Sequence, residues 1–192
     1  SAFRNALCLD MALGCSTNAV LHLLSFAREV GVELTLDDFD KLSETIPVIS
    51  RVIPTGKATV IDLYNAGGVP AVLGEMRDFL HRECLTVSGH TIGEIAALRR
   101  SSDHETLTTV DAPVFKNGGI AVMKGNITPN GAICRTTTIS EKIRRFAGPA
   151  RVFNSDEEAH HAVVTGDIKR GDVVVIRYEG PRGAPGMREM MM

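Results

Sequence analysis

A chain of 192 residues that is 44% hydrophobic and 23% charged can bury one large core or two small ones, which excludes disorder as its main state. Its formal net charge of −2 supplies no basic field for a phosphate backbone, and the absence of tryptophan leaves no aromatic stacking platform, so nucleic acid is not an expected partner. No apolar run reaches the roughly 20 residues that span a bilayer, and the N-terminus lacks the basic-then-apolar order of a signal peptide, so the expectation is a soluble, cytoplasmic chain with no membrane partner.

Phe3 to Met11 has helical periodicity, broken at Gly14-Cys15-Ser16. Ser16 or Thr17 can cap a second helix in which Ala19, Val20, Leu23, Leu24, Ala27 and Val30 share one face and Gly31 is the C-terminal stop. Ser16, Thr17 and Asn18 stand together at that helix start. They either cap it or help to hold an anionic substrate, because exposed N–H groups at a helix N-terminus favour anions. Thr35 repeats the capping device with Asp37 and Asp38 in the first turn and Phe39 and Leu42 facing inward, before Pro47 stops the helix. Pro54-Thr55-Gly56-Lys57 reads as a turn. It lacks the first glycine and the Ser/Thr after Lys that a phosphate loop needs, so it is not read as a nucleotide site.

Thr59 to Asn65 predicts a short helix ended by Gly67-Gly68, and a further helix opens with Pro70 in its first turn and runs on through Val72, Leu73, Met76, Phe79 and Leu80. Thr91 to Leu98 adds one or two helical turns, so the first hundred residues are expected to be almost wholly helical. Arg99 to Glu105 is polar and without periodicity and reads as a surface connection between domains. Beyond it strands are expected at 119–123 and 132–136, separated by a Pro-Asn-Gly turn, and at 150–153, followed by a helix that Asn154 to Glu158 caps. Short strands with one crossover helix predict a small barrel or sandwich with a helix laid on it. Cys8, Cys15, Cys84 and Cys134 show no CxxC pairing and no histidine at metal spacing, and read as reduced core or surface residues.

The chain then enters the stretch from Gly171 to Met190. Val173 to Arg177 with Tyr178 reads as a strand whose apolar run predicts cover on both faces. Gly180, Gly183 and Gly186 permit close backbone approaches while Pro181 and Pro185 stiffen the path between them. That loop delivers one carboxylate, Glu189, which is either a cation ligand or acid/base group or a solvated side chain on a tight turn.

Six blocks carry a resemblance: Ala12-Leu13-Gly14-Cys15-Ser16-Thr17-Asn18-Ala19-Val20-Leu21-His22-Leu23, Pro54-Thr55-Gly56-Lys57, Ala66-Gly67-Gly68-Val69-Pro70-Ala71-Val72, the run from Gly118 to Asn126, Gly148-Pro149-Ala150-Arg151-Val152-Phe153, and the 171–190 stretch. In that order they resemble the dihydroxyacid dehydratase family, which also holds phosphogluconate and sugar-acid dehydratases. Leu34 to Phe39 and Arg177 to Pro181 are more similar to the branched-chain dihydroxyacid enzymes. The resemblance implies loss of water from 2,3-dihydroxy-3-methylbutanoate and its homologue through an enol to the 2-oxo acid, a small-molecule substrate, and a homodimer. It also implies an iron–sulfur cluster as Lewis acid and a magnesium ion that anchors the substrate carboxylate and 2-hydroxyl.

What carries over residue by residue is one magnesium ligand, Glu189 in Gly186-Met187-Arg188-Glu189-Met190. No cluster ligand carries over: the family's cysteine motifs are expected upstream of this chain, and Cys15 stands where the family usually has glycine. The serine proposed as base is expected downstream, in a Gly-Arg-Phe-Ser-Gly motif. Ala184 stands where glycine is common. The implied fold is α/β: residues 1–110 as the mostly helical C-terminal part of a larger cofactor-binding α/β domain, and 111–192 as an incomplete swivelling β/β/α barrel domain. The chain is therefore expected to be an internal fragment that is inactive alone. Two other readings stay open, a sugar-acid or 6-phosphogluconate dehydratase and a non-catalytic domain that keeps the scaffold.

Overall fold

The computed structural model describes residues 1–14, 16–98 and 100–180. The chain divides into two compact units, Ser1–Ile139 and Ser140–Met192.

In the first unit the capping residues set the helices where the sequence places them. Helix α1, Ala2–Leu13, ends as Gly14 takes the left-handed conformation, φ 61°, and returns its N–H to the last turn. Helix α2, Thr17–Glu29, starts at Ser16. Helix α3, Leu36–Thr45, starts at Thr35, whose N–H and hydroxyl both donate to Asp38 Oδ2 at 2.8 Å. Helices α4, Val60–Asn65, α5, Gly68–Glu75, and α6, Ile92–Leu98, follow. No helix among the described residues is long and apolar enough to cross a membrane.

Three expectations are corrected. Helix α5 does not run on to Leu80: it stops at Glu75 and gives way to a 3-10 turn at Arg77–Phe79. Tertiary bonds from α1 capture the backbone there. Arg4 Nη1 donates to the Phe79 carbonyl at 3.2 Å, Asn5 Nδ2 to the His81 carbonyl at 2.9 Å, and the His81 N–H donates back to Asn5 Oδ1 at 2.8 Å. Val30 does not join the buried face of α2; it is the C-cap and 65% exposed, while Val20 and Ala27 are buried.

The first hundred residues are not almost wholly helical either. Pro47 blocks a helix, and Val48, Ile49 and Ser50 run extended with no exposure at all. The Ile49 N–H donates to the Ala12 carbonyl at the end of α1 (2.9 Å), and the Ile49 carbonyl accepts from the Thr108 N–H (2.8 Å). Bridges Val48↔Phe115 and Ser50↔Leu107 extend this antiparallel contact. An interior segment thus pairs with residues some 60 positions later, and the chain beyond the polar 99–105 stretch returns to the first unit.

Strands β1, Ile120–Met123, and β2, Ala132–Arg135, form an antiparallel hairpin in the register Ile120↔Arg135 to Met123↔Ala132. It lies on α3: the Gly118 N–H donates to the Ser43 carbonyl at 2.6 Å, and the Val122 N–H to Asp40 Oδ1 at 3.2 Å. Leu7, Met11, Phe39, Ile46, Ile49, Leu107 and Ile120 belong to the shared core.

The second unit is a β–α–β crossover. Strand β3, Ala150–Phe153, pairs in parallel with β4, Val173–Ile176, in the register Ala150↔Val173 to Phe153↔Ile176. Helix α7, Asp156–Val164, joins them and buries Ala159 and Ala162. Mixed helix and strand agrees with an α/β class. Among the described residues each sheet has two strands. The cover expected on both faces of β4 is not seen there, since Val174 is 40% exposed. One close approach fixes the geometry: a Cβ on Gly148 would sit 2.0 Å from the Gly171 carbonyl oxygen. Gly148→Ala is expected to destabilise this unit by about 1–3 kcal/mol. Urea denaturation followed through the amide signals of β3 and β4 checks this, and an unchanged midpoint would contradict the approach.

Candidate functional site

Within the first unit the block at the start of α2 is a capped helix end. Ser16 Oγ accepts the Asn18 N–H at 3.2 Å, so the serine hydroxyl serves the cap. The Arg135 guanidinium of β2 donates to the Gly14 carbonyl just before it. Thr55 Oγ1, Thr137 Oγ1 and Arg135 Nε are buried near this junction without a hydrogen-bond partner among the described residues, and a Cβ on Gly14 would lie 2.9 Å from Thr55 Oγ1. One guanidinium and several hydroxyls therefore surround the α1–α2 junction, and the groups that face it are donors more than bases.

In the second unit the end of β4 sets the root of the Gly/Pro loop. The strand stops at Ile176, short of the expected Arg177 and Tyr178, although the Arg177 N–H still donates to the Phe153 carbonyl at 3.0 Å. Arg177 Nε donates to Asn154 Oδ1 at 2.7 Å, and its guanidinium lies 4.9 Å from the Tyr178 ring centre. Tyr178 has φ 67°, a left-handed conformation that costs a bulky residue about 1–2 kcal/mol. That turn directs Glu179 back at α7, where its Oε1 accepts the Asp156 N–H at 3.0 Å. Ser155 Oγ accepts the Glu158 N–H at 3.2 Å and Glu158 Oε2 accepts the Asn154 N–H at 2.9 Å, so the first turn of α7 is bonded to acids and hydroxyls.

Asp156, Glu157 and Glu179 each present an oxygen within 4.8 Å of the others. The donor chemistry suits a hard divalent cation. All three, however, are engaged in other interactions, Glu179 among them as acceptor of the Asp156 N–H. The sequence marks Asp156 and Glu157 as capping residues and does not single out Glu179, because the contact bridges 23 positions and exists only once β3 and β4 pair. Glu189 lies outside the described residues.

The described cysteines do not fit an iron–sulfur cluster. Cys8 is buried in α1 with its thiol 3.7 Å from the Phe79 carbonyl, and burial pushes its pKa up, which disfavours the thiolate a cluster needs. Cys84 and Cys134 are half-buried, and among the described residues the one gathering of three potential ligands is the carboxylate set above. Cys15 lies outside the described residues.

Elsewhere in the first unit several carboxylates are held below their usual range by hydrogen bonds. The Thr59 N–H and hydroxyl do this for Asp62, those of Thr91 for Glu94, and the Thr106 hydroxyl with the Glu105 N–H for Asp103. A depressed folded pKa means stabilisation that is present above the unfolded carboxylate pKa and lost as pH falls through the folded one. The urea midpoint of the chain is expected to hold near neutral pH and to drop only below about pH 4. Carboxyl carbon shifts of Asp62, Glu94 and Asp103 that titrate at or above the solvated range would contradict this.

Residues 1–95 match the family model described as Dihydroxy-acid/6-phosphogluconate dehydratase N-terminal, and residues 105–192 match the one described as Dihydroxy-acid/6-phosphogluconate dehydratase C-terminal. A dihydroxy-acid dehydratase of Ruminiclostridium cellulolyticum is 48% identical over 192 residues, 99% of this chain and 35% of the relative. Those of Acetivibrio thermocellus and Pyrococcus furiosus are each 46% identical over 192 residues, with the same shares of chain and relative covered. The chain spans about a third of the length of the curated relatives it matches.

Proposed function

We propose, from the premise that this chain belongs to the dihydroxy-acid/6-phosphogluconate dehydratase family, that the whole protein it covers in part is a hydro-lyase of branched-chain amino-acid biosynthesis. It removes water from 2,3-dihydroxy-3-methylbutanoate and its homologue to give the 2-oxo acids. The observation that carries this reading is 48% identity to a dihydroxy-acid dehydratase along 99% of the chain. Residues 1–110 are the end of the cofactor-binding α/β domain and 111–192 part of the swivelling barrel domain, and the whole protein is a cytoplasmic homodimer.

In this reading Glu189 is a magnesium ligand. A single carboxylate on a Gly/Pro-stiffened loop offers one hard oxygen and leaves room for substrate oxygens. The ion, when bound, supplies the positive charge that holds the substrate carboxylate and 2-hydroxyl. The Arg177–Asn154 and Glu179–Asp156 bonds support the role by fixing the residues from which the loop departs. The iron–sulfur cluster of the whole protein takes no ligand from Cys8, Cys84 or Cys134. The 192-residue chain alone is then inactive, and turnover by it would overturn that statement.

The test is to trap 2-oxo acid formed by the whole protein, loaded with cluster and magnesium. 2-Oxo-3-methylbutanoate from the dihydroxy acid is the expected product. Its absence, together with a 2-oxo acid from gluconate or 6-phosphogluconate, would move the assignment to the sugar-acid branch of the family.

A further inference from the structure

Among the described residues every position with a left-handed backbone is a glycine except one, Tyr178, at φ 67°. A Cβ makes that conformation costly, and glycine or asparagine would give the same turn with less strain. The turn alone therefore does not explain a tyrosine there.

Packing does not explain it either. Tyr178 is 76% exposed, so burial of its ring offsets little of the strain. The Arg177 guanidinium lies over the ring, 4.9 Å from its centre. At an exposed site such stacking is worth less than the left-handed turn costs a bulky residue. The neighbours on both sides are nevertheless held. The Arg177 N–H donates to the Phe153 carbonyl at 3.0 Å and Arg177 Nε to Asn154 Oδ1 at 2.7 Å, while Glu179 Oε1 accepts the Asp156 N–H at 3.0 Å. A strained residue that is exposed, yet clamped on both flanks, is the kind that gathers at functional sites.

We propose that Tyr178 is a positioning residue. Its ring holds the Arg177 guanidinium on Asn154, and its left-handed turn sends the chain from the end of β4 to α7, so the stretch that carries Glu189 starts from one fixed place. Tyr178 acts through Arg177 and the chain that follows, and touches no reacting atom in this role. The proposal rests on the reading of Glu189 as a magnesium ligand.

Two variants test it. Tyr178→Asn tolerates the left-handed turn and removes the ring, and Tyr178→Phe keeps the ring. In the 192-residue chain the urea midpoint read at the amides of β3 and β4 is expected to stay level or rise with Asn, because the strain falls. In the whole protein, loaded with cluster and magnesium, Asn is expected to lower kcat about tenfold and to raise the magnesium needed for half-maximal rate, and Phe to recover most of both. A role in the fold alone would move midpoint and rate together. A lower midpoint with Asn, unchanged turnover with Asn, or a Phe variant as weak as Asn would overturn the proposal. Glu189→Gln is measured beside them. If it leaves turnover and magnesium dependence unchanged, the ligand reading falls and the positioning role with it; if it impairs them while Tyr178→Asn does not, the positioning role alone falls.

Discussion

Replacing Glu189 by Gln in the whole protein is expected to lower kcat by roughly two orders of magnitude, the scale on which loss of one preorganised electrostatic contact acts. The amide keeps the shape of the side chain but not its charge, and hard magnesium binds an amide oxygen more weakly than a carboxylate. The loss should therefore shrink as magnesium is raised, and a magnesium titration of activity in the variant checks this. Glu179→Gln is the companion measurement. An amide oxygen there still accepts the Asp156 N–H, so the first turn of α7 keeps that bond and turnover should stay close to that of the unaltered protein. Unchanged turnover in the Glu189 variant would contradict the ligand role and return the loop end to a solvated turn.

The second large effect is on stability. Phe39 is fully buried in α3 and is the largest of the completely buried side chains among the described residues. Its truncation to Ala removes that contact area and leaves a cavity, and a loss of about 3–5 kcal/mol is expected. Against a domain stability of about 5–15 kcal/mol this brings the first unit close to unfolding. Phe26, 60% exposed on α2, is the control, with an expected change within about 0.5 kcal/mol. Urea midpoints of the 192-residue chain, read by far-UV circular dichroism, separate the two. Equal shifts would contradict the placement of the core.

What the sequence made legible follows from which forces are local. Thr35 with Asp38 and Thr59 with Asp62 are capping boxes within one turn, and both helices start where those pairs stand. The hairpin of β1 and β2 is legible for the same reason, since its turn residues lie between its strands. The extended Val48-Ile49-Ser50 segment is not. Its partners, Leu107, Thr108 and Phe115, come from the far side of α4, α5 and α6, and no short window contains that information. The early end of α5 is another case: Arg4 and Asn5 of α1 claim the backbone of Phe79 and His81, a tertiary bond that overrides a good helical pattern.

The candidate site divides along the same line. Ser16 was legible as a cap because its partner is two residues away. The meeting of Asp156 with Glu179 was not, because it requires a parallel pair and a left-handed Tyr178. Glu189 was marked by resemblance and not by local physics, which favoured a solvated turn.

The most direct test of the assignment is a comparison of kcat/KM for the whole protein on 2,3-dihydroxy-3-methylbutanoate with those on gluconate and 6-phosphogluconate. The assignment predicts that the dihydroxy acid is preferred by about a hundredfold or more, the discrimination expected when one substrate leaves polar groups of the site unpaired. Equal values, or preference for either sugar acid, would contradict it.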